Sequence, residues 1–376
     1  MLEKPVKILF IMHPGIGDFC YLQNFFRELA ARFPSLEMHL WVGEHRITAD
    51  PAKWDGLKKF ILYDWLAVCP FFKKIYRNNY SPAGLAAAVE EARAENYPVI
   101  TTLVLARWHR YAKLARDICR DGMVISAMRP FDLKGWLRSF PYKKPDIAFP
   151  SAPAKAGHIS DIFNHWFRRL FGVGLPMGKR MPFMNIPGEW TCWADGFIKK
   201  TGADGQKLVF VNVTAKDWKR CWSLKNGIET IRAMQQVPQW KDAIFLLNAM
   251  PGDVAKFHDA IDKSGLERTH LFSAEENFFQ LPAVLGSCSL IISVETSVIH
   301  LANAVRIPVI ALMRRKYAWL WYPIDTKNTI LITTKKRNDR MDEIPPKRVA
   351  RAFGEVLKIN HKHGDPNNEY DHASSN

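Results

Sequence analysis

Three short segments carry residue types that could do chemistry. Gly15-Ile16-Gly17-Asp18 follows an apolar run and opens a helical pattern. Glycines there let the backbone turn sharply and a ligand approach closely. Free amides at a helix start favour an anion, so an acid is an unusual choice for a phosphate site. Asp18 therefore reads either as the helix N-cap or as a functional carboxylate. The third glycine of the dinucleotide fingerprint is missing, which gives an NAD-type site little support.

The second segment is Asn212-Val213-Thr214-Ala215-Lys216-Asp217-Trp218-Lys219-Arg220-Cys221-Trp222. It sets a hydroxyl, an amide and several cations just past a strand. That suits a diphosphate, whose charge needs donors and cations; a solvated basic loop is the plainer alternative. The third segment, Ser293 to Ala302, sets Glu295, Thr296 and Ser297 at a helix start, with His300 one turn on. Its hydroxyls and amides could hold a phosphate or simply cap the helix. His300 reads more readily as a hydrogen-bonded structural histidine. There is no G-x-S-x-G nucleophile elbow. The six cysteines form no C-x-x-C pair, and Asp, Glu and His are not grouped at ligand spacings, so no metal is expected.

The elements that must position these residues alternate. Residues 7–12 read as a buried strand, residues 18–33 as a helix ended by Pro34, and residues 38–42 as the next strand. Residues 60–63, 99–104 and 123–126 are further strand candidates, and 83–96 and 108–119 helix candidates. From 129 to 187 prolines and glycines are frequent and only 159–170 looks helical. A second series follows: strands at 208–213, 243–248, 290–294 and 309–313, with helices at 224–236, 254–264, 279–287 and 297–304. Residues 345–359 read as a terminal helix, followed by a polar mobile tail at 361–376. Strand alternating with helix predicts two α/β halves with parallel sheets. The expected division is 1–185, 186–340, a C-terminal helix at 341–360 and the tail, with a ligand cleft between the halves.

The chain is 376 residues long, too long for one core, so two domains are expected. Hydrophobic residues make up 48%, which excludes a disordered or collagenous chain. The formal charge of +16 attracts something anionic: nucleic acid, an acidic membrane surface or a phosphorylated substrate. Basic-aromatic stretches around Arg107, Arg110 and Lys113, around Arg138, and around Trp166 with Arg168 and Arg169 fit phospholipid headgroups or a phosphorylated glycolipid. No helix-turn-helix, zinc-finger or RRM signature supports nucleic acid. No signal peptide and no membrane-spanning run is read, which suggests a cytoplasmic protein.

Taken together these segments resemble glycosyltransferase family nine, the lipopolysaccharide heptosyltransferases. The resemblance rests on KILFIMHPGIGDFCYLQNFFRELAARFPSLEMHLWV, on VNVTAKDWKRCW, on LLNAMPGDVAKF, and on FSAEENFFQLPAVLGSCSLIISVETSVIHLANAVRIPVIAL. It implies a GT-B fold, two Rossmann-like domains facing a cleft. It implies an inverting, metal-independent transfer of heptose from ADP-heptose to a Kdo or heptose unit on lipid A, without cofactor, at the cytoplasmic face of the inner membrane. Asp18 would then be the general base. Lys219 or Arg220 would stabilise the leaving diphosphate and Thr214 would add a hydrogen bond. Asp253 would hold the ribose hydroxyls, and Thr296, Ser297 and His300 would hold the diphosphate. Glu295 stands where Asp is usual and Ser297 where Gly is frequent. A transferase for another nucleotide sugar, or a nucleotide-sugar epimerase on the same fold, is the alternative. A non-enzymatic membrane or nucleic-acid binder fits least.

Overall fold

The computed structural model describes residues 6–43, 47–77, 79–128, 145–203 and 205–363. The chain divides into two compact units, Met1–Arg180 and Met181–Asn376.

In the first unit six parallel strands form one sheet. They are β1 (Val6–Met12), β2 (Leu36–Val42), β3 (Lys74–Tyr76), β4 (Val99–Leu103), β5 (Met123–Met128) and β6 (Ile147–Pro150), in the order β3-β2-β1-β4-β5-β6. Parallel strands covered on both faces must be apolar throughout. Accordingly Ile8 to Met12 are all buried. Helix α1 (Ile16–Arg32) packs on this sheet through Phe19, Leu22, Phe25, Phe26 and Leu29, one apolar stripe at helical spacing. Its aromatics meet Phe10 of β1 and Phe167 of the Ile159–Phe171 helix, with Phe10 and Phe26 edge to face at 5.1 Å.

The second unit repeats the plan. Its strands are β7 (Leu208–Asn212), β8 (Ile244–Asn248), β9 (Thr269–Phe272), β10 (Leu290–Val294), β11 (Val309–Met313) and β12 (Thr329–Thr333), all parallel, in the order β12-β11-β10-β7-β8-β9. Val209, Phe245, Ile292, Ile310 and Trp240 centre its core. The Pro346–His363 helix closes that core with Val349, Phe353 and Val356.

Both sheets run 3-2-1-4-5-6 in the order of their own strands, the doubly wound arrangement. The order reverses between β1 and β4, and between β7 and β10. Crossovers leave these points to opposite faces, so a crevice opens at the strands' carboxyl ends.

Several sequence expectations are corrected. Residues 60–63 are not a strand: the chain turns there into a helix at Leu62–Ala67, and the edge strand is Lys74–Tyr76. The Gly188–Lys200 helix, β6, β9 and β12 were not anticipated. Edge strands are short and half-exposed, so their hydrophobic signal is weak. The terminal helix extends to His363; the rest of the expected tail lies outside the described residues.

Candidate functional site

At the first unit's reversal point, α1 begins at Ile16 and Gly15 is its N-cap. Asp18 is therefore not the cap but the third helical residue, a correction to one of its two readings. Its Oδ2 accepts the Gly15 N–H at 2.8 Å. Gly15 has an extended backbone. A Cβ there would lie 3.2 Å from that carboxylate, a tight contact that would press on the hydrogen bond. Gly17 is the second helical residue.

Asp18 lines a cavity of about 280 Å³ with Met12 at the end of β1 and Leu103 at the end of β4. Phe163, Trp166 and Leu22 supply apolar walls. Loss of water around the carboxyl outweighs the Gly15 hydrogen bond and pushes the Asp18 pKa up to about 6. A carboxylate poised there can take a proton near neutral pH.

Arg107 lines the same cavity and a second one of about 360 Å³, shared with Tyr111, Arg110 and Lys113. Lys113 pairs with Asp117. Arg138 lies outside the described residues. Arg107 caps the Trp108–Ile118 helix with φ of +56°. Only glycine takes that left-handed geometry freely. Arg107→Gly should therefore fold at least as stably as the wild type, by up to about 1 kcal/mol, while Arg107→Ala should not gain. Thermal melts of the pair check this. An Arg107→Gly protein less stable than Arg107→Ala would contradict it.

At the second unit's reversal point, Asn212 ends β7 and is 2% exposed. Its Nδ2 donates to Ser293 Oγ at 3.0 Å and Thr296 Oγ1 at 3.2 Å. Its Oδ1 accepts Asn248 Nδ2 at 2.9 Å and the Thr214 hydroxyl at 3.5 Å. One buried amide thus gathers the carboxyl ends of β7, β8 and β10. Thr296 is the N-cap of the Ser297–Ala304 helix, and its Oγ1 accepts the Val298 N–H. Ser297 is the first helical residue and partly exposed; His300 is buried, its ring 5.7 Å from that of Trp321.

Past Thr214 the chain makes a short 3-10 turn, Trp218–Arg220. The two cations that sequence could not separate differ here. Lys219 is exposed and lies over the Trp218 ring at 5.6 Å. Arg220 turns inward: its Nε is 3.5 Å from Glu295 Oε1 and its guanidinium is 5.6 Å from the Tyr317 ring. That Nε is buried and makes no hydrogen bond. Glu295 is 5% exposed and accepts the Arg314 N–H at 3.1 Å. Burial pushes its carboxyl pKa up, against the pull of Arg220. Asp253 ends a turn after β8 and starts the Val254–Ser264 helix, half-buried.

This site unites Thr214, Thr296, Ser297, Arg220 and Glu295 on adjoining strand ends. Sequence reading counted the Asn212 amide among the groups suited to a diphosphate, included Ser293 in its third segment without giving it a role, and passed over Asn248. The available signal was a polar residue closing, or interrupting, an otherwise apolar buried strand. Tyr317 and Arg314 gave no such signal. Among the described residues no three His, Cys, Asp or Glu are grouped to hold a metal ion.

Residues 174–346 match the model of glycosyltransferase family 9 (heptosyltransferase). The fold is similar to that of a family 9 glycosyl transferase from Veillonella parvula DSM 2008, with TM-score 0.72 and 16% identity over 95% of this chain and 99% of that one. It is also similar to E. coli ADP-heptose lps heptosyltransferase II, with TM-score 0.69 and 13% identity over 95% and 100% of the two chains. For E. coli heptosyltransferase WaaC with ADP the TM-score is 0.63 and the identity 14%, over 94% and 99%. No curated protein matches the sequence. The two sheets and their flanking helices are thus a GT-B-like fold.

Proposed function

We propose that this chain is a glycosyltransferase of the family whose model residues 174–346 match, and that it moves heptose from ADP-heptose to the Kdo or heptose inner core of lipopolysaccharide. The observation that carries the reading is the Asn212-centred network at the start of the Ser297–Ala304 helix. Hydroxyls, helix-start amides and the Arg220 guanidinium together suit a nucleoside diphosphate. Asp253 would take the ribose hydroxyls.

Asp18 would remove the proton from the acceptor hydroxyl as its oxygen attacks the anomeric carbon. The C–O bond to the diphosphate breaks on the opposite face, so configuration inverts. Arg220, Lys219 and the amides after Thr296 would take up the charge of the departing ADP, in place of a metal ion. Buried His300 would support the helix rather than reach the diphosphate. Arg107 and Arg110 would meet an anionic acceptor from the cavities of the first unit.

Thermal melts against a nucleotide panel test the donor. ADP at a hundredfold excess over its Kd should raise the Tm by about 5–10 °C. Stabilisation by UDP or GDP but not ADP would change the donor. Conversion of the donor with no acceptor present would favour an epimerase.

A further inference from the structure

Ion pairing neutralises part of the positive charge within the fold. In the first unit Lys7 pairs with Glu95, Arg116 with Asp146 at 2.6 Å and Arg180 with Asp161. Lys113 pairs with Asp117. Of the basic-aromatic stretch that sequence assigned to headgroups, Lys113 and Arg116 are thus paired within the fold.

The second unit pairs Lys225, Lys263 and Arg268 with acids in the same way, but one of its faces does not. Three segments meet beyond the carboxyl ends of β11 and β12: the Trp218 turn, the Arg315–Trp321 helix and the loop at 334–340. Arg340 lies over the Trp218 ring at 5.8 Å, and Arg315 Nη1 donates to the Lys335 carbonyl at 2.9 Å. Among the described residues Arg315, Lys335, Arg337 and Arg340 form no ion pair, and all four are exposed. Among them stand the two most exposed large hydrophobic side chains of the described residues, Trp218 at 62% and Trp319 at 55%. Water-exposed indoles cost free energy unless something covers them, and unpaired cations repel one another until an anion approaches.

We propose that this face of the second unit docks on an anionic lipid surface. Indole rings favour the headgroup depth, with an apolar body and a polar N–H, and Lys and Arg favour anionic headgroups. The face deepens the reading of a lipid-borne acceptor, since it would hold the enzyme where such an acceptor lies. Lys219 and Arg220 stay with the donor; the docking residues are their outer neighbours.

Vesicle co-sedimentation of the full chain tests it, with phosphatidylcholine alone and phosphatidylcholine mixed with phosphatidylglycerol. Wild type should partition only to the mixture, less so as salt rises. Trp319→Ala with Lys335→Glu and Arg337→Glu should lower partitioning at least tenfold, while transfer to a soluble deacylated acceptor keeps its rate. The milder Lys335→Gln with Arg337→Gln should give a partial loss at unchanged Tm, which separates docking from misfolding. Wild-type partitioning by the triple variant overturns the proposal. So does loss of partitioning on Arg110→Glu with Arg120→Glu instead, or a variant that loses binding to soluble anionic polysaccharide but not to vesicles. A protein that docks yet transfers no sugar would refute the proposed function and leave the docking face standing.

Discussion

Asp18→Asn should lower kcat by about 10²–10⁴-fold, the span that general-base catalysis supplies. Stabilisation by ADP should be unchanged, because the groups proposed to hold the donor belong to the other unit. The environment of the carboxyl adds two expectations. Burial against Leu22, Phe163 and Trp166 pushes its pKa from 3.8 up to about 6. A general base works ionised, so if Asp18 is that base, kcat/KM should rise with pH through about 6 and then level. Stability should run the other way. Between 3.8 and about 6 the folded state holds the proton more tightly than the unfolded chain, so stability falls as pH rises through that window. The shift corresponds to about 3 kcal/mol, which partial exposure of the carboxyl reduces to roughly 1–2 kcal/mol. Asp18→Asn abolishes this loss and should be more stable than wild type at pH 8 but not at pH 4. Denaturant melts at the two pH values, beside initial rates, check both halves. A variant with full rate would remove Asp18 from the chemistry. Lost rate with no gain in stability at pH 8 would mean that the carboxyl is well solvated.

Much of this arrangement could be read from residue order, and the reasons are physical. Central strands such as Ile8–Met12 and Leu290–Val294 are covered on both faces, so their apolar runs are unbroken. Edge strands carry half the signal, and Lys74–Tyr76 has three residues with which to show it. The Ser297–Ala304 helix was legible to the residue because Thr296 caps it and apolar positions fill it. Asp18 was half legible. A carboxylate at a helix start is visible in sequence, but whether it caps or faces a cavity depends on Gly15 and on walls from residues 103 and 163. The choice between Lys219 and Arg220 was not legible at all. Their neighbours in sequence are the same, and what separates them is Glu295, brought up on another strand. The cationic face failed for the same reason in reverse. In the first unit Arg116 reads as a free charge because the acid that pairs with it, Asp146, lies beyond the stretch.

Arg220→Ala should cost both stability and turnover, and the two losses have different causes. Glu295 is buried, and its partner across 3.5 Å is Arg220. Removing one member of such a pair strands the other, a penalty of about 3–5 kcal/mol when both are fully buried. Arg220 is partly exposed, so about 2–3 kcal/mol is expected here. Without the guanidinium the Glu295 carboxyl rises further. The folded state then keeps its proton over a wider range, so the deficit should grow as pH rises above the ordinary glutamate range and shrink towards pH 4. Glu295→Gln in the Arg220→Ala background removes the stranded charge, and its amide oxygen can still accept the Arg314 N–H. Stability should return to within about 1 kcal/mol of wild type. Turnover should not, because the cation proposed to meet the leaving diphosphate is still missing. The cycle thus separates a structural ion pair from a charge waiting for a ligand. The geometry favours the second role: the Arg220 Nε is buried and makes no hydrogen bond with Glu295. A carboxylate that held its arginine for stability alone would be expected to close that bond, as Asp161 does with Arg180. If the double variant regained turnover with stability, Arg220 would be a prop for Glu295, and the diphosphate charge would fall to Lys219.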